Sequence, residues 1–282
     1  MLPRALSARL SRTSFVLGFL KPQIWAKWAL YFVNLGFYYT LFRPTEWLIR
    51  RCSAVGQQPF FTPSAFAWIP GIEANWTAIR GELRPLLADR VRIPSFHEIS
   101  PEQLFITQDD KWKTYMLYAY GRKITENCTR CPQTTKLLET IPGMKTAFFS
   151  ILGPRKHIPE HRGPYNGVLR YHLGLIVPRE KEACRIRVDS EVAHWEEGRS
   201  VVFDDTYLHE VWNETDEERV VLFVDFTRPL SFPVSALNEA VIRLLSRSRL
   251  IQHIVEKVEE WHHHIAPETT DKLSAHARPS RS

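Results

Sequence analysis

The sequence predicts a mainly β protein, a sandwich or barrel of short strands with helical extensions before and after it. Three observations carry this expectation. From Lys145 to Pro229 six apolar runs, "TAFFSILG", "GVLRYHLGLIVP", "CRIRVD", "RSVVFDD", "YLHEVW" and "RVVLFVDFTRP", succeed one another with turns between them. That spacing suits all-β domains and not β-α-β units. After Pro233 the apolar period becomes helical, at Leu237, Val241, Leu244 and Leu245, then at Ile251, Ile254, Val255 and Val258. From Phe60 to about Gly143 the chain is loop-rich. Short helices are expected over "EANWTAIRGELRPLLA" and "TTKLLETI", and a strand or two in "QDDKWKTYMLYAYGR".

These elements divide the chain in order. Residues 1–55 form a basic, apolar segment and 56–144 a helical, loop-rich extension packing on the core. Residues 145–232 form the β core, 233–265 a C-terminal helix, and 266–282 a polar, basic, disordered tail. A chain of 282 residues, 44% hydrophobic and 24% charged, can bury a full core. One domain of about 200 residues plus extensions is expected.

The formal net charge of +6 is concentrated at one end. Residues 1–45 hold Arg4, Arg9, Arg12, Lys21, Lys27 and Arg43, and the first carboxylate is Glu46. The remainder is close to neutral, which speaks against a nucleic-acid surface and for a local basic element. Within that element "IWAKWALYFVNLGFYYTLF", residues 24–42, is apolar apart from Lys27, Asn34 and Thr40. As a helix it approaches the roughly 20 residues that span a bilayer. Its Trp and Tyr content and basic flanks suit a membrane interface equally well. Membrane association through residues 1–45 is therefore expected, with spanning or interfacial attachment and orientation left open. The alternatives are a buried core helix and, for the Arg- and Ser-rich first fifteen residues, a mitochondrial transit peptide.

Four cysteines are too few and too scattered for a disulfide framework, which fits a reducing compartment. Cys128 and Cys131 form one C-x-x-C, but no second pair or nearby His completes a zinc site, so free thiols or a surface-loop dithiol are expected. The sequons at Asn75, Asn127 and Asn213 are short enough to arise by chance. His262, His263 and His264 are consecutive and cannot share one helix face, so they read as a solvated end.

Candidate chemistry gathers in "HIPEHRGPYNGVLRYHLGL", residues 157–175. Strand alternation puts Arg170 and His172 on one face and Leu169, Tyr171 and Leu173 on the other. A cation and an imidazole on the inner face of a small β fold require an anionic partner inside it. The stretch "FDDTYLHEVWNETDEERVVLFVDF" repeats the pattern, with His209 on one strand and Arg219 at the start of the next. Two histidines on different strands, each near an inward arginine, suit a metal beside a carboxylate site. Imidazole accommodates iron, zinc or copper, and open positions beside an organic diacid point to non-haem iron. The alternative for Arg219 is a strand-edge salt bridge with Glu217 or Asp225.

The motifs "HRGPYNGVLRYHLGLIVP" and "FDDTYLHEVWNETDEERVVLFVDFTRP" resemble the aspartyl/asparaginyl β-hydroxylase family. The resemblance covers roughly residues 140–232. It implies a double-stranded β-helix, or jelly-roll, core and Fe(II)- and 2-oxoglutarate-dependent dioxygenase activity using O2. Bacterial lipid A hydroxylases belong to the same superfamily, and "ANWTAIRGEL", "KWKTYMLYAYG" and the apolar N-terminus weakly resemble that branch.

Carried over by position, the resemblance makes His161 and His209 the catalytic iron ligands. Arg219 would pair with the distal carboxylate of 2-oxoglutarate and Ser150 would hydrogen-bond it, while Arg170 and His172 would contact the cosubstrate near its metal-bound end. A guanidinium–carboxylate pair supplies both neutralisation and orientation. One departure stands out. Most such oxygenases place a third ligand in H-x-D, and here that position is Gly163. The aspartyl hydroxylases also carry glycine there, whereas the lipid A hydroxylases carry the aspartate. Asp205 remains as a carboxylate near His209, able to act behind the ligands but not itself a ligand.

The expected reaction is hydroxylation of an unactivated C–H bond, in a membrane lipid acyl chain more than in a peptide. Val168 and Phe148 leave the pocket mouth apolar where a substrate carboxylate would need a cation. The alternatives are an aspartyl/asparaginyl β-hydroxylase of peptides or proteins and a non-catalytic jelly-roll binding protein. A catalytic domain facing the cytoplasm, where Fe(II) and 2-oxoglutarate are available, completes the expectation.

Overall fold

Every one of the six apolar runs forms a strand, and together with five others they build two antiparallel sheets. The computed structural model describes residues 43–89 and 93–265. The larger sheet runs in the order β1 (Phe60–Phe61), β9 (Ser200–Phe203), β6 (Val168–Ile176), β11 (Arg219–Thr227), β4 (Met144–Leu152), β2 (Trp112–Ala119) and β3 (Arg122–Lys123). The smaller runs β5 (Lys156–His161), β10 (His209–Asn213), β7 (Cys184–Val188) and β8 (Glu191–His194). This is the jelly-roll, double-stranded β-helix architecture. Strands β2 and β3 come from the stretch expected to pack on the core, and they extend its sheet instead.

Alternation assigns the two faces of the large sheet. Ala147, Phe149 and Ile151 of β4, Leu169, Tyr171 and Leu173 of β6, and Val220, Leu222 and Val224 of β11 point one way. They pack against Ile79, Leu83 and Leu86 of α1 (Trp76–Ala88), and Leu138 of α2 (Pro132–Leu138) joins the same cluster. Each such side chain taken from water contributes about 1.5–3 kcal/mol. The opposite face, with Phe148, Leu152, Val221 and Phe223, meets Ile158, Cys184, Ile186, Val188 and Val211 of the small sheet. Arg170, His172, Ser150 and Arg219 have the parity of this inner face, so register alone carries them between the sheets.

The C-terminal apolar period forms two helices, α3 (Val234–Ser246) and α4 (Arg249–Ile265). Ile251, Ile254, Val255 and Val258 of α4 close the inner core, as their spacing predicts. Cys128 and Cys131 are free thiols but not a surface dithiol, because both are buried, and burial pushes the Cys131 thiol up to about 12. Asn127 and Asn213 are buried with their amides bonded to backbone carbonyls, so neither sequon is open to a glycan.

The chain divides into units between Leu48 and Ile49, and the β core and its site belong to the second. Among the described residues no helix is long and apolar enough to cross a membrane. The apolar run 24–42 and the tail 266–282 lie outside the described residues.

Candidate active site

His161 and His209 face each other across the β5–β10 ladder. They are register partners, and a bulge between His209 and Val211 loosens the pairing beside them. Their ring centroids are 4.1 Å apart. Each Nδ1 lies against the carbonyl two residues earlier, His161 on Pro159 O at 2.8 Å and His209 on Tyr207 O at 3.0 Å. A carbonyl only accepts, so both Nδ1 atoms carry the proton and both Nε2 lone pairs are left for a metal. Burial first, then the Arg170 charge, keeps His161 below the ordinary imidazole range. Burial, His161 and Arg170 push His209 to about 3. Both rings are thus neutral, the state in which imidazole binds metal.

Among the described residues no group of three or more His, Cys, Asp or Glu is placed to hold an ion together. The reason lies at Gly163. A Cβ there would fall 2.0 Å from Asp205 Oδ2 and 2.3 Å from Asp205 Cγ, so the Asp205 carboxylate fills the volume that a side chain at 163 needs. Arg170 Nη2 holds that carboxylate at 2.9 Å, while Asp205 Oδ1 is buried without a hydrogen-bond partner. Burial, reinforced by Asp225 and Asp204 and opposed by Arg170, raises Asp205 to about 7.

Arg170 stands near the imidazoles, with its Nε bonded to Asp225 at 3.0 Å and its Nη2 to Asp205 at 2.9 Å. Asp225, a candidate partner for Arg219, pairs with Arg170 across β6 and β11 instead. A lone acid at an inward position of an apolar strand was the available signal for it.

Arg219 opens β11 on the inner face and is fully enclosed, with its Cζ 4.5 Å from the centre of the Trp195 ring. Its Nε and Nη1 have no hydrogen-bond partner, and burial lowers its pKa to about 10. The Trp195 Nε1 and both His172 nitrogens are also buried and without partners. His172 packs between Phe203 and Phe223, at 5.1 and 5.0 Å, and Phe203 in turn touches His209 at 5.8 Å. Burial, then Arg219, holds His172 well below the ordinary imidazole range. Ser150, also buried on this face, accepts a bond from Trp112 Nε1 at 3.1 Å, which leaves its hydroxyl proton to donate. Trp195 and Trp112 escape sequence reasoning. Trp195 follows β8 in a charged loop with no periodicity, and Trp112 reads only as one aromatic of a strand.

An enclosed cation with unused donors costs several kcal/mol unless an anion joins it. Arg219, Ser150 and the Trp195 indole form a donor set for a carboxylate, and from Trp195 the rings of His172 and Phe203 lead in turn to His209. These residues fit a divalent metal at His161 and His209 with a dicarboxylate reaching Arg219. A neighbouring cavity of about 490 Å³ reaches His161, Arg170 and Asp205, and Phe96, Phe105, Met116, Tyr120, Phe148 and Phe223 give it a mostly apolar wall. Val168 lines a smaller adjoining pocket that shares Tyr120, Arg170, Asp205 and Asp225.

Comparison with known proteins places the chain in a family. The family model described as aspartyl/asparaginyl beta-hydroxylase matches residues 73–229. The ornithine lipid ester-linked acyl 2-hydroxylase of Rhizobium tropici is 43% identical over 225 residues, covering 80% of each chain. The human aspartyl/asparaginyl beta-hydroxylase is 33% identical over 180 residues, which is 61% of this chain but only 23% of that protein. A human aspartate beta-hydroxylase domain-containing protein 2 is 36% identical over 132 residues, 44% of this chain and 35% of the other.

Proposed function

Because the chain belongs to the aspartyl/asparaginyl β-hydroxylase family, we propose that it is an Fe(II)- and 2-oxoglutarate-dependent hydroxylase acting on a lipid acyl chain. The observation that carries the cosubstrate is Arg219, a buried guanidinium with two unpartnered nitrogens beside Ser150, Trp195 and His172. In this reading His161 and His209 hold the metal through Nε2, and Arg219 and Ser150 hold the distal carboxylate. When bound, Fe(II) and 2-oxoglutarate supply the O2 chemistry, coupled to formation of succinate and CO2, that side chains cannot perform. The chain's own contribution is placement. Pro159 and Tyr207 carbonyls fix the ligand tautomers, and Arg170 fixes the Asp205 carboxylate behind them. The unpartnered Asp205 Oδ1 would then be left to accept a hydrogen bond from water beside the two imidazoles.

The substrate reading rests on the apolar cavity and on the acyl 2-hydroxylase named among the relatives. An ester-linked acyl chain places a C–H bond beside a carbonyl without requiring a second cationic clamp. In the same reading residues 1–45 hold the protein on a membrane, with the catalytic unit on the cytoplasmic side. The test is turnover by the purified chain with Fe(II), 2-oxoglutarate and an ester-linked lipid. Succinate and hydroxylated lipid are expected in equal amounts, and lipid hydroxylation without 2-oxoglutarate would refute the cosubstrate assignment.

A further inference from the structure

Helix α3 has two unlike sides. On its inner side Val234, Asn238 and Ile242 are buried. Asn238 donates to Gly167 O at 2.8 Å and accepts from Tyr165 Oη at 2.8 Å, which fixes the helix against the loop leading into β6. Ile242 and Leu245 line the smaller pocket together with Arg170, Asp205 and Asp225. The helix is therefore a wall of the site.

Its outer side is apolar and, among the described residues, uncovered. Leu237 and Leu244, seven residues apart and hence on one stripe, are 40% and 58% exposed, with exposed Ala240 between them. Phe232, 84% exposed, leads into the stripe. Arg243 in its last turn, Arg247 just past its end and Arg249 at the start of α4 are all exposed, and among the described residues none pairs with a carboxylate. The one acid of this helix, Glu239, is taken by Lys145 at 2.7 Å. An apolar stripe bordered by uncompensated arginines is the composition of a helix lying in a lipid interface. The guanidinium fork matches phosphate oxygens while the leucines reach the acyl boundary.

We infer that the outer face of α3 and the turn from it into α4, with Phe232, Leu237 and Leu244 inserted and Arg243, Arg247 and Arg249 on phosphates, docks the catalytic unit on an anionic lipid surface. This contact is separate from residues 1–45 and deepens the lipid-substrate reading, on which it rests. A helix is about 10 Å across, so docking on one side sets the pocket wall on its other side within a helix diameter of the lipid. A lipid chain then enters the site without crossing bulk water.

The test uses the full chain bound to phosphatidylglycerol vesicles containing bromine-labelled acyl chains. A fluorophore is attached at Leu244→Cys in a Cys52→Ser background, since the other thiols are buried. The control label is at Val192→Cys, an exposed position of β8. Quenching is expected at 244 and not at 192. Each arginine removed weakens docking roughly fivefold, so Arg243→Gln/Arg247→Gln/Arg249→Gln shifts it roughly a hundredfold and abolishes quenching at 244. Equal quenching at the two positions, or quenching indifferent to the triple substitution, overturns the inference. So does concentration-dependent dimerisation that covers position 244 in place of lipid. Lipid hydroxylation without quenching defeats the docking face alone, and quenching without hydroxylation supports the face while defeating the substrate reading.

Discussion

Gly163 and Asp205 compete for one volume: a Cβ at position 163 would lie 2.0 Å from the Asp205 carboxylate oxygen Oδ2. The packing thus denies position 163 a side chain, because a neighbouring carboxylate, clamped by Arg170, fills that volume. Gly163→Ala should therefore destabilise the protein by about 1–3 kcal/mol through overpacking. Adding Asp205→Gly should recover most of that loss, a non-additivity expected of residues that share space. Denaturant titration of the two single variants and the double variant checks this. A Gly163→Ala protein as stable as the parent would show that the two positions do not compete.

On the proposed reading two imidazoles are the protein ligands, and neither is dispensable. His161→Ala or His209→Ala should each abolish stoichiometric Fe(II) binding measured by calorimetry, together with 2-oxoglutarate turnover. Retained turnover in a His161→Ala/His209→Ala protein would move the metal elsewhere.

Arg219 ties affinity to instability. Among the described residues its buried guanidinium has no ion pair, so Arg219→Met should stabilise the cosubstrate-free protein by about 1–4 kcal/mol. The same change should raise the KM for 2-oxoglutarate more than a hundredfold, since losing one partner of a buried pair costs about 3–5 kcal/mol. Thermal melting without cosubstrate and a cosubstrate titration read the two effects. A lower melting temperature would mean that Arg219 is already paired within the fold.

The strands and their facing were legible because a period of two is robust: β4, β6 and β11 announce themselves by alternation, and their parity places Ser150, His172 and Arg219 inside. Strand β5 was not separated from the turn that follows it. It is six residues long, contains Pro159, and only Lys156 and Ile158 are buried in it. Yet β5 is what sets His161 opposite His209. Ion-pair choices were equally out of reach. Asp204 and Asp205 are adjacent in sequence, but they separate to Arg228 and Arg170, a sorting that depends on backbone path and not on spacing.

Acid should unfold the metal-free protein through its imidazoles. His172 and His209 are held, chiefly by burial, well below the ordinary value of 6.5, His209 at about 3. Below pH 6.5 the unfolded chain binds protons at these positions that the folded chain refuses, so stability falls as pH falls. The loss continues down to each folded pKa and approaches about 1.4 kcal/mol per pH unit for each buried ring. His172→Phe, which keeps an aromatic ring among Trp195, Phe203 and Phe223, should flatten the slope measured by denaturation between pH 7 and 5. An unchanged slope would exonerate His172.

The proposed acyl substrate makes a prediction about the cavity wall. Peptide hydroxylation at aspartate requires a cation for the substrate's own carboxylate. Arg162 and Arg170 both line the cavity, and Arg170 already binds Asp225 and Asp205, while Phe148 and Phe223 line the adjoining wall. Desolvating a second carboxylate there without a partner would be strongly unfavourable, whereas methylenes gain by contact with the same aromatic rings. Expression in a bacterium that makes ester-linked acyl lipids should therefore yield lipids one oxygen heavier, with the hydroxyl on the acyl chain. Phe148→Asp, placing a charge in that wall, should raise the KM for lipid while leaving Fe(II) binding intact. Lipid mass spectrometry decides the first point and steady-state kinetics the second. Hydroxyaspartate formed in a peptide assay, with cellular lipids unchanged, would replace the acyl chain by a protein substrate.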